Sequence, residues 1–222
     1  MLEILYEDNH LLVINKSAGV LVQGDATGDK PLVELCKEYI KEKYQKPGEV
    51  FLGVVHRLDR PVSGVVVFAR TSKALERMNE LFRNKETKKT YWALVGNKPN
   101  QAEGTLIHWL VKDEKKNKTT AFKKEHPQGQ RSELSYRHLS TKSGLHLLEV
   151  QPVTGRPHQI RVQLSSMGCS IVGDVKYGFE VGNADNSICL HARQLQFIHP
   201  VKKEPLTIQA DLPKNQFWKL FT

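Results

Sequence analysis

The segment His56-Arg57-Leu58-Asp59-Arg60-Pro61-Val62-Ser63-Gly64 sets one carboxylate between two guanidiniums and closes on a Ser-Gly turn. Residues of these types at this spacing make an anchored anionic nucleophile. Arginine stays charged at any working pH, so a neighbouring guanidinium favours the ionised acid and Asp59 is expected to remain charged even where water is partly excluded. The second arginine is left for phosphate or base edges. Val54-Val55 upstream and Val65-Val66-Val67-Phe68 downstream predict buried strands, which places the charged cluster on a tight connection between them.

Four further segments carry side chains suited to chemistry or to sharp turns: Asn15-Lys16-Ser17-Ala18-Gly19-Val20-Leu21-Val22, Lys89-Thr90-Tyr91-Trp92-Ala93-Leu94-Val95, Thr154-Gly155-Arg156-Pro157-His158-Gln159-Ile160-Arg161 and Gly173-Asp174-Val175-Lys176-Tyr177-Gly178. Together with the Asp59 segment, and in this order, they resemble the motifs of the RluA family of RNA pseudouridine synthases. The resemblance runs from about residue 4 to the C-terminus. It implies an α+β pseudouridine synthase fold, a mixed and largely antiparallel sheet flanked by a few helices with a central RNA-binding cleft, occupying residues 1–222 as one catalytic domain. Many members of that family carry a small S4-like RNA-binding domain ahead of the catalytic one; here the pattern begins almost at Met1, so that module is expected to be absent.

The implied reaction isomerises specific uridines of ribosomal or transfer RNA. The C1′–N1 bond breaks, the uracil turns, and C5 joins C1′, with no external electron source and no cofactor. A carboxylate beside the sugar and base suffices, as in glycosidic chemistry. Attack at the sugar, addition at C6 of the base and glycal formation all use the same acid. By resemblance, Asp59 is the catalytic aspartate, Arg161 its ion-pair partner from a helix, and Tyr91 the active-site tyrosine, whose ring can stack on an extruded uracil and whose hydroxyl could shuttle the C5 proton. Arg156 is the alternative partner for Asp59. Arg57 is expected to fill the vacated stack or hold the displaced backbone; Arg60, Arg156, His158 and Lys89 are expected on the RNA.

Each residue also has a plainer reading. Asp59 beside arginine could be a structural ion pair, Tyr91 a half-buried core tyrosine, and Arg57 a phosphate contact. His56 and His158 read as hydrogen-bonding supports, because the motifs hold no metal-ligand spacing. A glycosidase would need a second carboxylate, and none with comparable surroundings stands out. The remaining rival is a non-catalytic RNA-binding or ribosome-assembly factor on the same scaffold. Ser17 stands where the family often has proline, Gln23 and Gln163 where it often has histidine, and Val62 where it often has threonine. These positions are expected behind the catalytic residues or facing RNA.

Composition agrees with a polyanionic partner: 33 Lys+Arg against 24 Asp+Glu give a formal charge of +9. The three cysteines, Cys36, Cys169 and Cys189, are scattered without CxxC spacing, which suggests reduced thiols rather than disulfides or zinc. No signal peptide and no membrane-length apolar run is visible, so a cytoplasmic protein is expected, with no membrane partner and a monomer as the default.

The elements that must position these residues read as many strands and a few helices. Ile4–Tyr6 and Leu11–Ile14 predict a hairpin. Helices are predicted over Pro31–Tyr44, with Pro31 in the first turn; over Ser72–Asn84, capped by Ser72; and over about Pro157–Met167, stopped by Gly168. In the last, Ile160, Leu164 and Met167 make the inner face and Arg161 lies at its edge. Strands are predicted at Thr90–Val95, Thr105–Val111, Leu134–Leu139 and Leu145–Val153, with a final hairpin of Arg193–His199 and Leu206–Leu212. Between Lys112 and Arg131 a polar stretch carries Lys112, Lys115, Lys116, Lys118, Lys123 and Lys124, which reads equally as a solvated loop or as an RNA-contacting hairpin.

Overall fold

The computed structural model describes residues 2–221, which divide into two units, one of residues 2–88 with 192–212 and one of residues 89–191 with 213–221. In the first, strands β1 (Ile4–Glu7) and β2 (Leu11–Lys16) form the expected antiparallel hairpin, and β2 pairs antiparallel with β4 (Ser63–Ala69). Strand β10 (Leu190–Ile198), of which residues from Ala192 onward belong to this unit, lies beside β4 and pairs antiparallel with β11 (Pro205–Gln209). All seven residues of β4 are buried. Leu11, Val13, Val65, Val67, Leu195 and Phe197 share one core with Met78, so alternate residues of three strands close on a helix.

That helix, α2 (Ser72–Arg83), starts where the sequence suggests, but its cap lies one residue earlier: Thr71, not Ser72, caps it, its hydroxyl accepting from the Ala74 amide at 3.1 Å. Helix α1 (Leu32–Lys43) has Pro31 at its cap position rather than in its first turn. Proline's side chain cannot cap. Instead the Leu32 and Val33 amides donate to the Leu21 and Val22 carbonyls, so the preceding segment satisfies the free helix start.

Strand β3 is only Gly53–Val54, and it pairs with the far end of β4, Gly53 opposite Ala69 and Val54 opposite Phe68. Residues 55–62 therefore form a long connection and not the tight one expected. At its end Gly64 has φ +116°, and a Cβ there would collide with the Ala192 backbone. Glycine lets β4 approach β10 at this point.

The second unit is a five-stranded antiparallel array in the order β5 (Lys88–Val95), β9 (Leu145–Pro152), β8 (Gln130–Lys142), β6 (Glu103–Asp113) and β7 (Lys118–Phe122). The lysine-rich stretch is thus partly a strand, with β6 and β7 forming a hairpin. Helix α3 (Gln159–Ser166) is shorter than expected. Gly168, at φ +82°, ends it: the Gly168 and Cys169 amides return to the Ser165 and Leu164 carbonyls, a Schellman closure. Its expected single apolar face is a correction, since every residue from Gln159 to Leu164 is buried, Arg161 and Gln163 included. Met167 is the cap and only half-buried.

Candidate active site

In the first unit the Asp59 loop is held from both ends and from below. Leu58 and Val62 are buried on either side of the carboxylate, and the Val62 amide donates to the Asp59 carbonyl at 3.0 Å, closing a turn over 59–62. His56 acts as the support expected of it: its Nε2 accepts from the Val67 amide of β4 at 3.1 Å, and its ring stacks on Phe82 of α2 with centroids 5.0 Å apart. Asp59 itself is half-buried; Arg57 is exposed. The Arg60 guanidinium donates to the Gly19 carbonyl at 2.9 Å and pairs with the exposed Asp29 carboxylate at 2.7 Å.

Sequence reasoning gave no role to Lys16, which the structure places beneath this loop. Its side chain is 1% exposed, and its ammonium donates to the carbonyls of Ser17, Val20 and Arg60 at 3.0, 2.8 and 3.2 Å. Burial pushes its pKa down to about 7; the Asp59 charge opposes that shift and Arg60 adds to it. The two motifs are thereby tied together, with the Gly19 amide also donating to the Arg60 carbonyl at 2.8 Å. A lysine closing the apolar run Leu11-Leu12-Val13-Ile14 just before a glycine turn was the available signal.

In the second unit Tyr91 and Lys89 lie half-buried on β5, Tyr91 opposite Val150 of β9. The 154–158 turn is built by Gln159, whose Oε1 accepts from the Thr154 hydroxyl at 2.8 Å and from the Arg156 amide at 3.0 Å, while its Nε2 donates to the Glu133 carbonyl. The turn leaves Arg156 exposed. Lys89 reaches this turn, its Nζ 4.0 Å from where a Gly155 Cβ would sit. Arg161 is not at a helix edge; it is buried and gripped by Asp174, Nε to Oδ2 at 2.7 Å and Nη2 to Oδ1 at 2.8 Å. This parallel, two-point grip fixes the guanidinium plane. Asp174 was legible only as part of a motif.

Tyr177, from the same motif, gathers the neighbourhood. Its ring centroid lies 4.9 Å from the Arg161 guanidinium carbon and its hydroxyl 2.7 Å from His158 Nδ1. Burial raises the phenol above its ordinary range, so it keeps its proton. His158 adopts the left-handed conformation, φ 54°, just ahead of α3. Gln163 is not RNA-facing: it is fully buried, bonding the Leu106 carbonyl at 3.0 Å and His108 Nδ1 at 3.1 Å. Among the described residues no group of three His, Cys, Asp or Glu side chains could hold a metal ion, and the three cysteines are buried and unpaired. Among the described residues no helix is long and apolar enough to cross a membrane.

Comparison with known proteins places these motifs in a wider setting. The family model described as RNA pseudouridylate synthase matches residues 10–166. A tRNA pseudouridine synthase C from Vibrio cholerae serotype O1 is 33% identical over 237 residues, covering 99% of this chain and 93% of that protein. A ribosomal large subunit pseudouridine synthase C from the same organism is 34% identical over 221 residues, covering 94% of this chain and 65% of its own length, just under two thirds. Among solved structures, human RNA Pseudouridylate Synthase Domain Containing 4 superposes with a TM-score of 0.80 at 28% identity, covering 96% of this chain and 89% of that one.

Proposed function

We propose that this chain, which belongs to the RNA pseudouridylate synthase family, isomerises specific uridines of ribosomal or transfer RNA, using the carboxylate of Asp59. The observation that carries the reading is the setting of Asp59: one half-buried acid in a turn over 59–62, whose loop is pinned at the Arg60 carbonyl by the buried Lys16 ammonium, inside the span matched by the family. A carboxylate held this way acts on the ribose and base without reorganising. The C1′–N1 bond breaks, C5 bonds to C1′, the C5 proton leaves and N1 takes up a proton in its place, so the product is an isomer of the substrate.

The remaining roles follow from chemistry. Tyr91 stacks on the uracil, a contact worth about 1–3 kcal/mol per base. That offsets part of the few kcal/mol needed to extrude the nucleotide, a cost lowest where it is unpaired. Arg161, its guanidinium plane fixed by Asp174, supplies an oriented cation to the catalytic residues. Arg57 fills the vacated stack, and Arg60, Arg156, His158 and Lys89 contact RNA. The exposed Arg60–Asp29 pair is of the kind that contributes little to stability, so exchanging Asp29 for a phosphate costs little.

The test uses transcripts of ribosomal and transfer RNA labelled with [5-³H]uridine. Wild-type protein is expected to release tritium and leave pseudouridine, and Asp59→Ala to abolish both while RNA affinity stays within a few-fold. Release of free uracil would indicate a hydrolase, and an Asp59→Ala variant with wild-type turnover would remove the aspartate from the chemistry.

A further inference from the structure

The hairpin that carries the surface lysines meets the arginine helix at a shared phenol and at a direct side-chain bond beside it. On β7 the Thr119 amide donates to the Tyr177 hydroxyl at 2.8 Å, and the Thr119 hydroxyl donates to the Pro157 carbonyl at 3.1 Å. The Tyr177 oxygen accepts from β7 and also shares a hydrogen bond with His158 Nδ1, 2.7 Å away. The Tyr177 ring faces the Arg161 guanidinium, and Lys118 of β7 stands 5.9 Å from the same ring.

Other contacts hold this hub rigid. Ser165 and Ser170 both donate to the Tyr177 carbonyl, at 2.7 and 2.9 Å, and the Lys176 ammonium donates to the Asn117 carbonyl at the hairpin tip, at 3.1 Å. Tyr177 is 5% exposed, so its hydroxyl has no water to replace a lost partner. The hairpin tip, in contrast, projects Lys115 and Lys116 into solvent. A polyanion bound there pulls on an element whose backbone shares an oxygen with the left-handed residue that starts α3.

We infer that Tyr177 is a positioning residue coupling RNA grip to chemistry: RNA held by the β6–β7 lysines steadies Thr119, and through the shared phenol steadies His158 and Arg161. This rests on the reading of Arg161 as part of the active site. Coupling of this kind is a free energy shared between two places, so removing the link uncouples them whichever side is perturbed.

Four proteins carrying all 222 residues test it: wild type, Tyr177→Phe, the hairpin variant Lys115→Ala/Lys116→Ala, and their combination. The probes are the tritiated ribosomal and transfer RNA transcripts. Tyr177→Phe keeps the ring and loses the hydroxyl, so the single-turnover rate at saturating RNA is expected to fall about tenfold, the equivalent of one or two buried hydrogen bonds, with affinity changed less than about threefold. The hairpin variant lowers affinity and the saturated rate in the wild-type background, but affinity alone beside Tyr177→Phe. Equal loss of saturated rate in both backgrounds overturns the coupling. Thr119→Val, which removes the hydroxyl that bonds the Pro157 carbonyl and also contacts the Tyr177 hydroxyl, is expected to act in the same direction as Tyr177→Phe, and it serves if the latter folds poorly.

A second readout does not need turnover. Hydrogen exchange of the Arg161 Nε–H, followed by NMR, is expected to slow on adding RNA to wild-type protein and to be unchanged by RNA in Tyr177→Phe; equal slowing in both overturns the inference. If wild type releases no tritium from either RNA, the proposed function fails on that result, and the exchange measurement still decides the coupling.

Discussion

Replacing Asp174 with asparagine removes one charge from the buried Arg161–Asp174 ion pair while keeping the side chain's shape. The two side chains are 6% and 1% exposed and meet through two parallel contacts of 2.7 and 2.8 Å. In the Asp174→Asn variant the guanidinium loses its two charged acceptors at that carboxylate and stays where water does not reach. Breaking a buried pair from one side costs about 3–5 kcal/mol, because the buried charge that stays behind loses that compensation. For a chain of this length each kcal/mol moves Tm by roughly 2–4 °C, so a fall of about 6–20 °C is expected. Urea unfolding should show the same loss as a lower midpoint with the slope unchanged. Combining it with Arg161→Met removes both charges, and the double variant is expected to recover about 1–3 kcal/mol relative to the sum of the singles. A loss under about 1 kcal/mol for Asp174→Asn, the range of a surface pair, or strict additivity in the cycle would refute the reasoning. Below its melting temperature Asp174→Asn should also turn over more slowly, since the guanidinium plane is no longer fixed from that side.

Lys16 gives a pH signature with a definite sign. Its pKa is about 7 folded and 10.5 for an ordinary lysine, so between those values the unfolded chain binds more protons. Stability should therefore rise with pH across that window and be lost again as pH falls toward 7, at a slope of up to about 1.4 kcal/mol per pH unit. Lys16→Met should lack this component; urea midpoints at pH 7 and pH 9.5 that move in parallel in both proteins would contradict it. Gly64→Ala combines a left-handed backbone with a collision against the Ala192 backbone. A loss of about 2–5 kcal/mol is expected from strain plus overpacking, and a wild-type urea midpoint would show that β4 and β10 are not held at this distance.

Most elements, and the residues proposed for chemistry, were legible along the chain because their signals are local. Alternating or continuous apolar runs marked β2, β4, β5 and β9, and helical spacing marked α1 and α2. The five motifs announced themselves by residue type and order. Local signals were weaker at boundaries: the cap of α2 fell to Thr71 because its hydroxyl, and not that of Ser72, meets the Ala74 amide. They also failed for α3. A helix enclosed on all sides has no polar face to display, so its pattern could not say that Arg161 and Gln163 are inside.

What the sequence determined by itself was the family, through motifs in a fixed order, and the carboxylate proposed as its acid, since a carboxylate flanked by arginines is a property of neighbours along the chain. Tertiary structure alone decided which groups support which: Lys16 under the Asp59 loop from 43 positions away in sequence, Asp174 on Arg161, and one phenol shared by Thr119, His158 and Arg161. The physical reason is that burial makes these partnerships matter. A lysine ammonium or a guanidinium in water has no need of a particular partner, whereas one removed from water must find carbonyls or a carboxylate, and only the packed chain determines where those will be.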